Sequence, residues 1–180
     1  MPIPCKNIVL IGFMGTGKST VGRLLSTSLA YRFADTDELI VRKAGKKIPA
    51  IFEESGEEGF RVIESEVLED LTKEEGVVIA TGGGIVTGEG NIEKLQTLGC
   101  VVWLTAKEES IWERVAHNKT RPLLQNDTPR ETIQRLLTER LPLYEKAAHL
   151  TIGTDGLSAS DVSFGILECL RLEKEISLHE

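Results

Sequence analysis

Apolar residues follow two rhythms along this chain. Three runs, Ile8-Val9-Leu10-Ile11, Val77-Val78-Ile79-Ala80 and Val101-Val102-Trp103-Leu104, have no polar member. As strands they would be buried on both faces, which is the mark of a parallel sheet. Phe33-Ala34-Asp35 and Leu150-Thr151-Ile152 add two shorter strands. Between these runs the apolar positions recur at helical spacing. Lys18 to Ala30 places Val21, Leu24, Leu25 and Leu29 on one side of a helix. Gly99 reads as a helix stop before the fourth strand. Thr105-Ala106-Lys107-Glu108 and Thr128-Pro129-Arg130-Glu131 have capping-box spacing, the second with proline at the first helical position. Ser158 can cap the last helix. Alternation of this kind predicts an α/β fold with three layers, a parallel sheet between helices. Ligands on such sheets bind beyond the carboxyl ends of the strands.

Composition narrows the picture. At 180 residues, 41% hydrophobic and 27% charged, the chain fits one soluble domain spanning 1–180. Its net charge of −7 and the lack of a basic run argue against nucleic acid as a partner. Arg42-Lys43 and Lys46-Lys47 read as solvated surface. The three cysteines, Cys5, Cys100 and Cys169, are widely spaced with no CxxC pair. Neither a zinc ribbon nor a redox dithiol is indicated, and reduced thiols with Cys100 in the core fit a cytoplasmic protein. The opening Met1-Pro2-Ile3-Pro4-Cys5-Lys6 does not read as a signal peptide. No stretch approaches the roughly 18 apolar residues of a membrane span. His117, His149 and His179 show no metal spacing.

After the first strand comes Gly12-Phe13-Met14-Gly15-Thr16-Gly17-Lys18-Ser19-Thr20. This is the P-loop pattern in its strand–loop–helix context. Its glycines let successive backbone N–H groups face phosphate oxygens, and the following helix adds its positive end. Lys18 can reach the β- and γ-phosphates, and the Ser19 hydroxyl can ligate Mg²⁺. The third strand ends in Thr81-Gly82-Gly83-Gly84 with no carboxylate. Asp35, at the end of the second strand, is therefore the candidate second metal ligand, and Asp37 is placed for another ligand. The plainer reading of Asp35-Thr36-Asp37 is a helix N-cap with a turn; both roles can coexist. A guanine-specific switch would need NKxD, but the chain has Asn118-Lys119-Thr120-Arg121. Arginine cannot accept the two donors of a guanine edge.

Two arginines complete the candidates. Among Ile133, Leu136, Leu137, Leu141 and Tyr144, Arg140 projects from the middle of the apolar stripe. An inward charge is costly unless paired, either with an anionic ligand or with a protein carboxylate. Arg61 lies at the edge of the stripe formed by Phe60, Ile63, Val67 and Leu71, where position alone decides nothing.

The P-loop, Asp35-Thr36-Asp37, Gly59-Phe60-Arg61, Thr81-Gly82-Gly83-Gly84, Thr120-Arg121-Pro122-Leu123-Leu124 and Glu139-Arg140-Leu141-Pro142-Leu143-Tyr144 together resemble shikimate kinases, in order and approximate spacing. The resemblance covers about residues 6 to 170. It implies a nucleoside-monophosphate-kinase-like P-loop fold with five parallel strands in the order 2-3-1-4-5. It also implies transfer of the ATP γ-phosphoryl group to the 3-hydroxyl of shikimate, with Mg²⁺, by a cytoplasmic monomer that needs no membrane. By the same resemblance Lys18, Asp37 and Arg121 are catalytic, with Asp37 as base and Arg121 in a lid of about residues 116–128. Gly12, Gly15, Thr16, Gly17, Lys18, Ser19, Thr20 and Arg114 hold the nucleotide, Arg114 against adenine. Asp37, Arg61, Gly83, Gly84 and Arg140 hold shikimate, much of it from a substrate-binding insertion of about 36–64. Ser19 and Asp35 hold the metal. Val62 stands where some relatives carry a second arginine after the one matching Arg61, and Leu157 where some use an arginine against adenine, so the adenine contacts stay open. A gluconate-type metabolite kinase would share the P-loop without needing the paired arginines and triple glycine. A non-catalytic binding protein on this fold would be expected to lose Lys18, Asp37 or Arg121.

Overall fold

The computed structural model describes residues 5–116 and 122–177. The elements run β1 (Ile8–Ile11), α1 (Lys18–Leu29), β2 (Arg32–Asp35), α2 (Thr36–Ala44), α3 (Ile48–Leu71), β3 (Val77–Ala80), α4 (Asn91–Leu98), β4 (Cys100–Thr105), α5 (Glu108–Val115), α6 (Pro129–Ala147), β5 (Leu150–Gly153) and α7 (Ala159–Ser177). Short 3₁₀ turns occupy Ile85–Thr87 and Pro122–Leu124. The five strands form one sheet in the order β2-β3-β1-β4-β5, with every pairing parallel.

Alternation along the strands builds two cores. Ile8 and Leu10 join Val78, Val102 and Leu104 on the face covered by α1 and α7. Val9 and Ile11 join Ile79 and Val101 on the opposite face, against α3, α4 and the end of α6. Full burial of such a side chain stabilises the fold by about 1.5–3 kcal/mol. A third, smaller cluster lies over the P-loop, where Phe13 and Met14 meet Ile111, Val115, Ile133 and Leu136.

Several local expectations need correction. Thr105 does not cap α5, because it belongs to β4, where its carbonyl accepts Thr154 N–H at 2.9 Å. The carboxylate at the start of α5 is Asp155, which accepts Lys107 N–H at 3.0 Å. Pro129 does open α6, but Thr128 makes no side-chain cap; Asn126 instead accepts Thr128 N–H at 3.0 Å. Ser158 does form its box: its hydroxyl accepts Asp161 N–H at 3.2 Å, and its own N–H donates to the Asp161 carboxylate at 3.1 Å. Leu24 and Leu141 face outward, since the buried stripes run Val21, Gly22, Leu25 and Ile133, Leu136, Arg140, Tyr144.

The cysteine reading is also corrected. Cys5 and Cys100 form a disulfide with a Cα–Cα distance of 5.6 Å, and Cys169 is free. Distant in sequence, the two are neighbours because β1 and β4 pair in parallel, with Cys100 N–H donating to the Asn7 carbonyl at 3.0 Å. This link sits at the amino ends of the strands, opposite the edge where ligands bind.

Candidate active site

Every predicted site residue among the described residues lies at the carboxyl edge of the sheet. The P-loop leaves β1 at Gly12, whose φ of 136° and lack of a Cβ let it press on the Leu104 carbonyl of β4. Gly17 caps α1 in the left-handed region at φ 89°. Thr16 is buried, and its hydroxyl donates to the Phe13 carbonyl at 2.8 Å. The Lys18 ammonium lies over the loop, donating to the carbonyls of Gly12 at 2.8 Å and Phe13 at 2.7 Å.

The Ser19 hydroxyl donates to Asp35 Oδ2 at 2.7 Å. Asp35 Oδ1 in turn accepts Asp37 N–H at 3.0 Å, so Asp35 is the N-cap of α2 as well. The plain reading of this residue as an N-cap therefore holds, and its second oxygen is held by Ser19. A hydroxyl and a carboxylate in contact beside a phosphate loop are hard oxygen donors suited to Mg²⁺, which takes few protein ligands and completes its shell with phosphate and water.

Beyond the triple glycine lies a cavity of about 360 Å³, walled by Asp37, Arg61, Glu64, Arg140 and Gly82–Gly84. It is of metabolite size. α3 brings Arg61 there after a break at Gly56 (φ 65°), where the chain leaves helical geometry and restarts. Arg61 Nη1 donates to Glu64 at 2.7 Å and Nη2 to Glu57 at 2.9 Å. Glu64 is fully buried, and among the described residues its Oε1 has no hydrogen-bond partner, nor has Arg61 Nε. Burial pushes the Glu64 carboxyl up against the pull of Arg61, and the charge of Asp37 adds to the rise. Burial opposes the Arg61 charge too, but Glu64 and Glu57 outweigh it and hold the guanidinium firmly protonated.

The glycines are needed for closeness. A Cβ at Gly82 would come within 2.9 Å of Glu64 Oε1 and 3.0 Å of Asp37 Oδ1, and one at Gly84 would overlap the Arg61 guanidinium. Arg140 is 3% exposed, with its guanidinium 5.7 Å from the Phe13 ring centre. It forms no ion pair among the described residues. The buried ion pair that Arg140 could have made belongs instead to Arg61.

A second cleft, of about 190 Å³, runs along the P-loop past Lys18, Ser19 and Asp35. Asp37, Gly82 and Gly83 line both spaces. A third space of about 230 Å³ lies beyond Gly15, bordered by Arg114, Thr154 and Leu157. Arg114 is anchored there, donating to the Gly15 carbonyl at 3.0 Å and to Thr154 Oγ1 at 3.2 Å. Arg121 lies outside the described residues. Of the predicted lid, Leu123 reaches the wall of the larger cavity.

Sequence reasoning missed Glu64. The signal was available: Glu64 sits among Phe60, Ile63, Val67 and Leu71 at helical spacing, by the same argument that singled out Arg140.

The family model for shikimate kinase matches residues 14–171. A shikimate kinase from Vibrio parahaemolyticus is 47% identical over 165 residues, 92% of this chain and 96% of that relative. Among solved structures, a shikimate kinase from Acinetobacter baumannii in complex with shikimate superposes with a TM-score of 0.91 at 44% identity, covering 94% of each chain. One from Aquifex aeolicus gives 0.80 at 41% identity, covering 92% of this chain and 96% of that one. With the site's geometry and these matches in agreement, the chain belongs to the shikimate kinase family.

Proposed function

We infer that this chain transfers the γ-phosphoryl group of ATP to the 3-hydroxyl of shikimate, giving shikimate 3-phosphate and ADP on the route to the aromatic amino acids. The observation that carries this is the meeting of two spaces at Asp37. One has a phosphate loop, and the other has two guanidiniums that can receive a carboxylate. Phosphoryl transfer needs alignment and charge neutralisation more than covalent help.

In this reading Arg61 and Arg140 grip the substrate carboxylate, which two planar guanidiniums can hold with defined orientation. That grip and the Gly83–Gly84 backbone turn the acceptor hydroxyl toward Asp37. Asp37 accepts its proton as the oxygen attacks. Gly12, Gly15, Thr16, Gly17 and Thr20 cradle the phosphates, and Lys18 leaves its carbonyl partners for the β- and γ-oxygens. Ser19 and Asp35 would hold Mg²⁺, which when bound neutralises charge on those phosphates. Arg114 borders the space assigned to adenine.

We assign residues 36–64 to substrate binding and 116–128 to a lid that excludes water, a competing acceptor. We also propose a cytoplasmic monomer that does not bind nucleic acid. The reaction draws on ATP, which the cytoplasm supplies. Among the described residues no helix is long and apolar enough to cross a membrane.

The direct test is ADP release from purified protein with Mg-ATP, offered shikimate, quinate, gluconate or nucleoside monophosphates in turn. Turnover should be confined to shikimate, or fastest with it by a wide margin; preference for gluconate or a nucleotide would overturn the assignment. Arg140→Lys should raise the shikimate KM by about tenfold or more, since a point charge cannot reproduce a planar fork. A melting-temperature loss with unchanged KM would instead mark Arg140 as structural. Arg121→Ala should slow turnover by about 10³-fold if it acts as an arginine finger in cis. Near-normal turnover would remove it from the mechanism.

A further inference from the structure

Tyr144 is buried one turn beyond Arg140 on α6, with its ring stacked on Trp103 at 5.7 Å between centroids. Its polar tip has a specific place. The hydroxyl donates to the Gly83 carbonyl, and the charge of the Arg140 guanidinium acts on it from the preceding turn. A single phenol thus ties the glycine loop to the helix that carries Arg140, two elements 61 residues apart in sequence where they meet.

A trans peptide points the carbonyl of one residue and the N–H of the next in opposite directions. Fixing the Gly83 carbonyl on Tyr144 therefore turns the Gly84 N–H away from the phenol. That N–H has no acceptor among the described residues, and Gly84 packs directly on the Arg61 guanidinium at the cavity wall. We propose that Tyr144 is the positioning residue of the carboxylate site: by holding the Gly83 carbonyl beside Arg140, it presents the Gly84 N–H to the same anion that the Arg140 fork receives. This rests on the shikimate kinase reading. Burial pushes the phenol pKa up to about 12, so the hydroxyl remains a donor throughout the neutral range. A ring that only filled the core would serve equally well without that hydroxyl.

Tyr144→Phe keeps the ring and its stack on Trp103 while removing the oxygen. In the full chain it should raise the shikimate Kd and KM by about tenfold. The ATP KM should stay within about twofold, as none of these groups lines the P-loop cleft except Gly83. Shikimamide, whose carboxylate is replaced by a neutral amide, should bind wild type and Tyr144→Phe alike, because the clamp acts on the negative charge. Equal shikimate binding by the two proteins, or equal losses for acid and amide, would overturn the proposal. If Tyr144→Phe does not fold, 4-fluorophenylalanine at this position fills the space of the oxygen without donating to Gly83. Its shikimate affinity should then fall while ATP affinity holds, and unchanged shikimate affinity would again overturn the idea. A wild-type protein that does not phosphorylate shikimate would sink the functional reading and this inference with it. An active wild type matched by Tyr144→Phe sinks this inference alone.

Discussion

Asp37→Asn should lower the turnover number for shikimate by about 10³-fold, within the range that removal of a general base produces. The ATP KM should move by no more than about twofold. The amide has the shape of the carboxylate but cannot take the proton of the attacking hydroxyl. The α2 cap should persist, because it uses the backbone N–H of Asp37 and not its side chain. The charge of Asp37 in fact works against its neighbour, pushing the Glu64 carboxyl upward. Steady-state ADP release with saturating shikimate measures the effect, and a turnover number near wild type would assign the proton to another group.

Arg61→Ala should be the most damaging single change to stability in the site. Glu64 is 0% exposed, and Arg61 holds its only hydrogen-bonded oxygen. Removing one member of a buried pair leaves the other charge stranded, at a cost of about 3–5 kcal/mol. The second pair, to half-exposed Glu57, adds little because solvent screens it. Urea unfolding reads the loss. Arg61→Ala combined with Glu64→Gln should recover most of it, since the neutral amide needs no counter-charge, while shikimate affinity stays poor. If the double variant is as unstable as Arg61→Ala, or binds shikimate normally, the pair has been misread.

What could be seen in the sequence was what is local. The apolar strand runs and the P-loop are written in consecutive residues, and each has its place in the sheet. Arg140 was found because helical phase puts it in a buried stripe, and the same phase holds for Glu64, which needed only the same question asked of a carboxylate. Partnership across the fold was not legible. Cys5 meets Cys100 only once β1 and β4 are paired, and the Asp155 that tops α5 comes from the loop after β5. Thr105 had the spacing of a cap but a stronger claim from the β5 side of the sheet. Gly56 was one glycine among many until a φ of 65° showed that α3 restarts there. Across that break, α3 supplies both Phe52 and Arg61 to the wall of the same cavity.

The cysteine arrangement has a practical consequence. With Cys5 and Cys100 joined, Cys169 on α7 is the sole thiol open to alkylation. α7 packs on α1, the helix that begins at Lys18. A maleimide dye coupled to the disulfide-linked chain would therefore attach at one point, on the helix whose first residues border the space beyond Gly15, and outside the larger cavity. It would label the chain singly without one engineered residue.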